Sequence, residues 1–414
     1  MRSLADSPSM SERTDVIVIG AGPTGSTAAS LLRLRGVSVK VLEREVFPRF
    51  HVGESLLPVD LPIFAKLGVD PGAEGFLRKG GAEFLDEAGG GHGHYPFADA
   101  LPGTPDHAFE VERSKFDHFL SRRSEELGAE VRYGERVTSC AVQPDHVEVT
   151  TTKGRHQARY LVDATGLDAL LSRRDRTAEP IVDFGLGALF THVHEIDAGL
   201  DRALTVEEHG NVKILFVDDG WCWVIPLGGR KVSMGMVTRR KGLKAEWLDE
   251  RIERSPFLSR VTRGAVRHQK PGVLASFSFH TREPHGARWA SLGDAAAFLD
   301  PIFSSGVSLG MVGAEHLVEA LVPALEDGTE DRRDLLAAHH RHMGRAYNVF
   351  ATLINSFYHS NLLHHLFFSR DQDALLRKGL TSVLAGDVWR DDNPFQDKLM
   401  ASKRRLKELV PLHG

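Results

Sequence analysis

The chain has 414 residues, of which 42% are hydrophobic and 26% charged, with a net charge of -5. That length allows two or three domains around a sizeable core, and the composition is that of an ordinary globular protein. The mildly acidic balance gives no reason to expect nucleic acid or an anionic membrane as a partner, and no run of eighteen apolar residues provides a spanning helix.

Met1 to Arg13 is polar and lacks the apolar core of a secretory signal. Two cysteines, Cys140 and Cys222, are too few for a disulfide framework or a cysteine metal site, so the expected setting is reducing and cytoplasmic. The first rich stretch follows at once. Val16 to Ile19 reads as a buried parallel strand. Gly20, Gly22 and Gly25, with Pro23 between them, then stand in G-x-G-x-x-G spacing, and Ser26 to Arg35 reads as a helix packing through Ala28, Ala29, Leu31 and Leu32. Gly20 allows the tight turn, Gly22 lets a pyrophosphate approach the backbone, and Gly25 lets the helix sit close on the strand. The pyrophosphate meets the positive end of the helix. A second strand, Val37 to Leu42, ends at Glu43, an acid placed for ribose hydroxyls. Together these predict dinucleotide binding; the alternative is a glycine-rich turn with no ligand.

The loop Arg44 to Ser55 is broken by Pro48 and Gly53. Either Arg44, Arg49 or Ser55 touches a cofactor there, or the loop is a solvated surface segment. Leu56 to Leu67 reads as helix. Lys79 sits between apolar residues at the mouth of a strand, a position where a lone lysine is usually a solvated charge. Gly89 to His94 reads as a flexible loop, and His92 and His94 lack the acids a metal site needs. Phe109 to Asp117 leads into a helix reaching Leu127, capped by Gly128. Val131 to Val149 reads as alternating strands, and Tyr160 to Gly166 as a strand running into a glycine turn. From 176 to 275 helices are scarce, and Val212 to Val217 and Lys231 to Val237 alternate as in an antiparallel sheet. Trp221 and Trp223, two apart on a strand, point to one face as core filler or cavity wall, and Pro226 marks a strand end. Trp289 to Asp294 is an apolar strand with Asp294 placed to accept from a polyol. Ser304, Ser305 and Gly306 open a helix to about Leu325 whose free N–H groups suit an anion. Beyond Arg332 the chain reads as helical. His339, His340, His342, His364 and His365 have no acid pattern and read as solvated faces or packing, and Lys398 to Lys407 as a basic helical tail.

Four motifs in order, the glycine turn, Arg113 before Phe116-Asp117, Asp163-Ala-Thr-Gly166 and Gly293-Asp294, resemble the flavoprotein hydroxylase superfamily. The resemblance implies an α/β fold: a Rossmann-type FAD-binding domain (14–70, 105–175, 276–325), an inserted antiparallel substrate domain (71–104, 176–275) and a helical C-terminal region (326–414). By similarity Arg113 lies near the FAD phosphates and Asp294 on the ribityl chain. Trp221-Cys-Trp-Val-Ile-Pro226 resembles the W-x-W-x-I-P signature of flavin-dependent halogenases, and Lys79 in Lys-Gly-Gly-Ala resembles their tunnel lysine. The Phe47 to Ser55 loop and Asp300-Pro301-Ile-Phe-Ser-Ser-Gly306 are similar to the phenol and pyrrole branch of that family.

The resemblance therefore implies an enzyme that uses reduced FAD, O2 and chloride or bromide to make hypohalous acid, with the halide at Ser305 and Gly306. Lys79 passes the halogen to an electron-rich aromatic, free or on an acyl carrier protein. Trp221, Trp223, Pro226 and Pro301 wall the tunnel, and no metal takes part. Gly185-Leu-Gly187 lacks a third glycine and a following helix, so reduced flavin is expected from a separate flavin reductase. The competing readings are an FAD-dependent aromatic monooxygenase, which shares every FAD motif, and a maturation flavoprotein acting with a partner protein.

Overall fold

The computed structural model describes residues 14–181, 184–185, 187–369 and 373–402. Strand β1 (Thr14–Ile19) runs through the glycine turn into α1 (Pro23–Leu34). The helix starts earlier than its apolar face suggested, because Pro23 occupies the first turn, where a missing N–H is harmless. β2 (Val39–Leu42) returns beside β1. Pro58–Asp60 forms a 3-10 turn before α2 (Leu61–Leu67). Next come β3 (Leu77–Lys79), the hairpin of β4 (Gly81–Asp86) and β5 (Gly91–Pro96), and β6 (Ala108–Glu110). α3 (Arg113–Glu126), β7 (Glu130–Arg132), β8 (Val137–Val142), β9 (Val147–Thr151) and β10 (Arg155–Asp163) complete this part.

The chain crosses through α4 (Leu170–Arg174) and β11 (Ala178–Pro180) to β12 (Gly187–His194), α5 (Ala198–Arg202), β13 (Val212–Val217), β14 (Gly220–Gly228) and β15 (Lys231–Thr238). After α6 (Glu246–Arg254), α7 (Pro256–Thr262) and β16 (Gly272–Ala275) it returns by β17 (Phe279–Thr281), β18 (His285–Gly286) and β19 (Trp289–Ser291). α8 (Ser305–Asp327), α9 (Ala337–His359), α10 (Leu362–Phe368), α11 (Ala374–Leu384) and α12 (Pro394–Ala401) follow.

The first sheet has the order β18-β19-β10-β1-β2-β7, parallel from β19 to β7, with the β8–β9 ribbon hung on β10. Continuous apolar runs such as Val16 to Ile19 suit strands covered on both faces. α1, α3 and α8 cover one face, and the β8–β9 ribbon closes part of the other. The second sheet has the order β16-β12-β15-β14-β13-β4-β5 and is antiparallel except where β13 meets β4. Its inner face packs on the helical C-terminal region and its outer face on α5, α6 and α7.

Three expectations need correction. Gly89 to His94 is not a loop: β5 begins at Gly91, and a Cβ at Gly93 would lie 2.3 Å from the Phe367 carbonyl oxygen, so the glycine admits α10 against the strand. Helices are not scarce between 176 and 275, since Leu248 and Ile252 in α6, and Leu258 and Val261 in α7, bury on the sheet at helical spacing. His364 does find an acid, Asp86 at 2.9 Å, supplied by the end of β4 and so invisible in its own helix. Of the basic tail, Lys398 to Ala401 lie in α12, and 403–414 lie outside the described residues. α8 is the one helix among the described residues long and apolar enough to cross a membrane, and 61% of its most apolar stretch is buried in the protein.

Candidate active site

A cleft of about 640 Å³ opens over the glycine turn, lined by Gly20, Gly22, Pro23, Glu43, Arg44, Arg49, Arg113 and Asp294. The glycines do different work. A Cβ on Gly25 would lie 1.9 Å from the Gly20 carbonyl oxygen, so that glycine serves helix–strand packing. At Gly22 a Cβ would meet nothing closer than Arg49 Nη2 at 3.7 Å, so the protein itself leaves room there. The bare backbone faces the cleft at the start of α1, where a pyrophosphate needs close approach. Glu43 accepts from Ala21 N at 2.8 Å and Glu45 N at 2.9 Å, which fixes its carboxylate at the end of β2. Arg44 pairs with Asp168 and Glu45 at the rim. Arg49 is held by Asp117 at 3.0 Å and lies over the Phe47 ring. These features fit FAD.

Arg113 is already engaged: it donates to both oxygens of Asp117 and to the carbonyls of Val52 and Gly53. It therefore anchors the 52–53 loop, and Arg49 is the arginine nearer Gly22. Burial pushes the Asp294 carboxyl up to about 6, opposed by Arg113.

A second, apolar cavity of about 120 Å³ shares His51, Arg113 and Asp294 with the first. Trp221, Trp223 and Ile225 alternate along β14 and line it, as period-two geometry requires. Pro226 is out of phase and does not line this cavity; Ile225 takes its place. Pro301, Ser304, Ser305 and Gly306 also line it. Ser304 adopts φ 56, no side chain caps the first turn of α8, and a Cβ on Gly306 would lie 3.4 Å from Asp294 Oδ1. Asp300, missed as a polar anchor in the sequence, accepts from Tyr358 OH at 2.6 Å, Trp221 Nε1 at 3.1 Å, Ile302 N and Gly185 N. Burial nevertheless raises it to about 6. Only its place before Pro301, a turn-initiating pair, hinted at a capping role.

Lys79 is 1% exposed and lies behind the cavity wall. Its Nζ donates to Ser55 Oγ at 2.8 Å and Leu56 O at 2.9 Å, and sits over the Phe97 ring. Ser55 lines the apolar cavity and not the nucleotide cleft. Burial lowers the Lys79 pKa, against the pull of Glu110 and Asp60. Among the described residues no three His, Cys, Asp or Glu side chains gather as a metal site.

Residues 98–386 match the family model described as tryptophan halogenase, and residues 13–174 that of an FAD-binding domain. The chain is 29% identical to the 1H-pyrrole-2-carbonyl peptidyl-carrier-protein chlorinase of Pseudomonas fluorescens, covering 91% of this chain and 89% of that protein. Identity to the corresponding brominase of Pseudoalteromonas luteoviolacea is also 29%, covering 94% and 97%. The flavin-dependent brominase Bmp2 superposes with a TM-score of 0.82 at 27% identity, covering 94% of this chain and 98% of that one. The myxobacterial chondrochloren halogenase CndH gives 0.75 at 28%, covering 97% and 96%. With a family model spanning well over half of its length, and a nucleotide cleft joined to an apolar cavity backed by a buried lysine, the chain belongs to the tryptophan halogenase family and is an FAD-dependent halogenase.

Proposed function

We propose that this enzyme chlorinates or brominates a phenol or pyrrole, the ring presented on a carrier protein, in natural-product biosynthesis in the cytoplasm. The observation that carries the reading is the placement of Lys79: a fully buried amine one hydrogen bond behind an apolar cavity that adjoins the nucleotide cleft. The pyrrole relatives act on carrier-bound rings, by their names, which supports that substrate class.

Bound reduced FAD, with O2, supplies the oxidising equivalents that convert halide to hypohalous acid. Gly20, Gly22, Pro23, Glu43, Arg44 and Arg49 would hold its nucleotide end, and Arg113 and Asp294 the part nearer the apolar cavity. The free N–H groups of Ser305 and Gly306 at the positive end of α8 would hold chloride or bromide. Trp221 and Trp223 would keep the ring away from the cleft, so that the halogen reaches it through Lys79. A neutral lysine is a competent nucleophile, and desolvation favours that form. Gly185-Leu-Gly187, where β12 begins, lacks the third glycine and following helix of a second dinucleotide turn, so a separate reductase would provide the reduced flavin.

Incubation with FAD, a flavin reductase, NADH and chloride or bromide, against free and carrier-bound phenols and pyrroles, tests this by product mass. Halogenated product from a carrier-bound ring is expected. Oxygen insertion without halide dependence would overturn it.

A further inference from the structure

Strands β3 and β6 form an antiparallel ribbon in which Lys79 faces Ala108 and Leu77 faces Glu110. Residues two apart on a strand share a face, so Lys79 and Glu110 are diagonal neighbours within reach of each other's long side chains. Each is 1% exposed. Lys79 spends two of its three donors on Ser55 and Leu56, which leaves one. Glu110 has the matching shortage: neither carboxyl oxygen closes a hydrogen bond in good geometry, and the donor beside it is the hydroxyl of Ser55, the group that accepts from Lys79. A buried carboxyl without a donor is rare and unfavourable unless another charge compensates it.

The other charged groups here are occupied. Asp60 also faces the amine, but its Oδ2 accepts from Leu57 N and Ser308 Oγ. Glu54 is bound to His192 at 2.9 Å, and Lys213 to Glu83 and Glu208. Glu110 is the acid beside Lys79 with both oxygens left over, where Asp60 leaves only Oδ1.

We propose that Glu110 is the proton acceptor of Lys79, holding the proton that the ammonium must lose before its nitrogen can take a halogen. The proposal rests on the reading of Lys79 as the relay residue. The proton passes by way of Ser55: an ammonium N–H bond breaks and its proton goes to Ser55 Oγ while the Ser55 O–H proton goes to the Glu110 carboxylate, leaving a neutral amine, an intact hydroxyl and a carboxylic acid. The amine nitrogen then attacks the halogen of hypohalous acid: an N–X bond forms, the O–X bond breaks, and the amine N–H proton joins the departing hydroxide as water. The aromatic carbon next takes X from nitrogen, and the ring proton returns to nitrogen, restoring the amine. Burial raises the affinity of Glu110 for a proton and lowers that of Lys79, which brings the two closer together, so the pair titrates as a unit. Glu110 acts only through Lys79.

The test is a pH titration of the full-length protein carrying 13C at the lysine Cε, with the Lys79 signal assigned by its loss in Lys79→Met. Removing the neighbouring negative charge leaves the ammonium uncompensated, so in Glu110→Gln the Lys79 titration should move to lower pH. Glu110→Asp, which keeps the charge but withdraws it, should fall between parent and Gln variant, and serves alone if the Gln variant does not fold. The acid limb of the halogenation rate should move the same way. An unmoved Lys79 titration overturns the proposal, as does a uniform rate loss at every pH with the acid limb in place. Should Lys79→Met halogenate at the parent rate, the relay reading fails instead, and the titration still decides whether the two groups share a proton.

Discussion

Gly22 and Gly25 carry the same side chain for opposite reasons, and substitutions separate them. Gly22→Asp should fold with a melting temperature near the parent's, since space is open around its Cβ, yet lose FAD binding through clash and repulsion with the pyrophosphate. Flavin fluorescence titration checks this. Gly25→Ala should instead fail to fold well, because its Cβ would lie 1.9 Å from a backbone oxygen. At Lys79, truncation to Ala should lower halogenation by about 10²–10⁴-fold, the usual scale for a positioned acid–base or nucleophilic group, with FAD affinity retained. Product formation at parental rate would end the relay role. Lys79→Arg should fail as well, because a guanidinium stays protonated. The glycine turn was legible because its chemistry is local; Lys79 was singled out only by its motif, since its neighbours alone read as those of a solvated charge, whereas it is buried. Glu110 was not legible: its partner lies across a strand pairing, and nothing in Phe109-Glu-Val-Glu-Arg113 distinguishes it from Glu112, which pairs with Lys115 and Lys231.

Among elements, β14 was the most readable. Period two alone put Trp221 and Trp223 on one face, and the same rule moves Pro226 off the cavity wall. β5 was unreadable for the converse reason, since glycines that look like a loop are there to admit α10. The apolar face of α8 was visible, but its fit was not: a Cβ on Gly310 would lie 2.0 Å from Thr24 Oγ1, so α8 is seated directly on α1. The junction of α9 with β14 depends on Tyr358, which donates to Asp300 beside Trp221. Tyr358→Phe removes a short bond to a buried acid, and should destabilise the protein by about 1–3 kcal/mol, measured by chemical denaturation. It should also disturb the Trp221 fluorescence, because Asp300 and Tyr358 both hold that indole.

For the whole molecule, two sets of buried groups set opposite pH slopes. His51 and His342 titrate near 4 and His339 near 3, all lowered chiefly by burial, so the unfolded chain binds more protons below about 6.5 and stability falls from there as pH drops. Asp60 is raised by burial to about 7, and Asp294 and Asp300 to about 6, so their contribution is present below the unfolded carboxyl range near 4 and is lost as pH rises through those values. Melting temperature should therefore peak on the slightly acid side of neutrality. Asp60→Asn should flatten the fall between about pH 5 and 8, and an identical slope in that variant would show that another group is responsible.

The nucleotide cleft takes Gly20 from one end of the chain and Asp294 from far along it, and β1 pairs with β10 before β10 pairs with β19. A ribosome therefore releases the glycine turn long before it releases the segment that closes the cleft. The β12 to β15 meander, built from neighbouring stretches, has all of its strands out of the exit tunnel while the parallel sheet still lacks β19 and its covering helix α8. Flavin capture during synthesis must wait for α8, and the cavity that would receive the ring waits longer still, until Tyr358 arrives to fix Asp300. A stalled nascent chain ending shortly after α8 would thus be the first able to bind flavin, at a stage when its aromatic pocket is still unfinished.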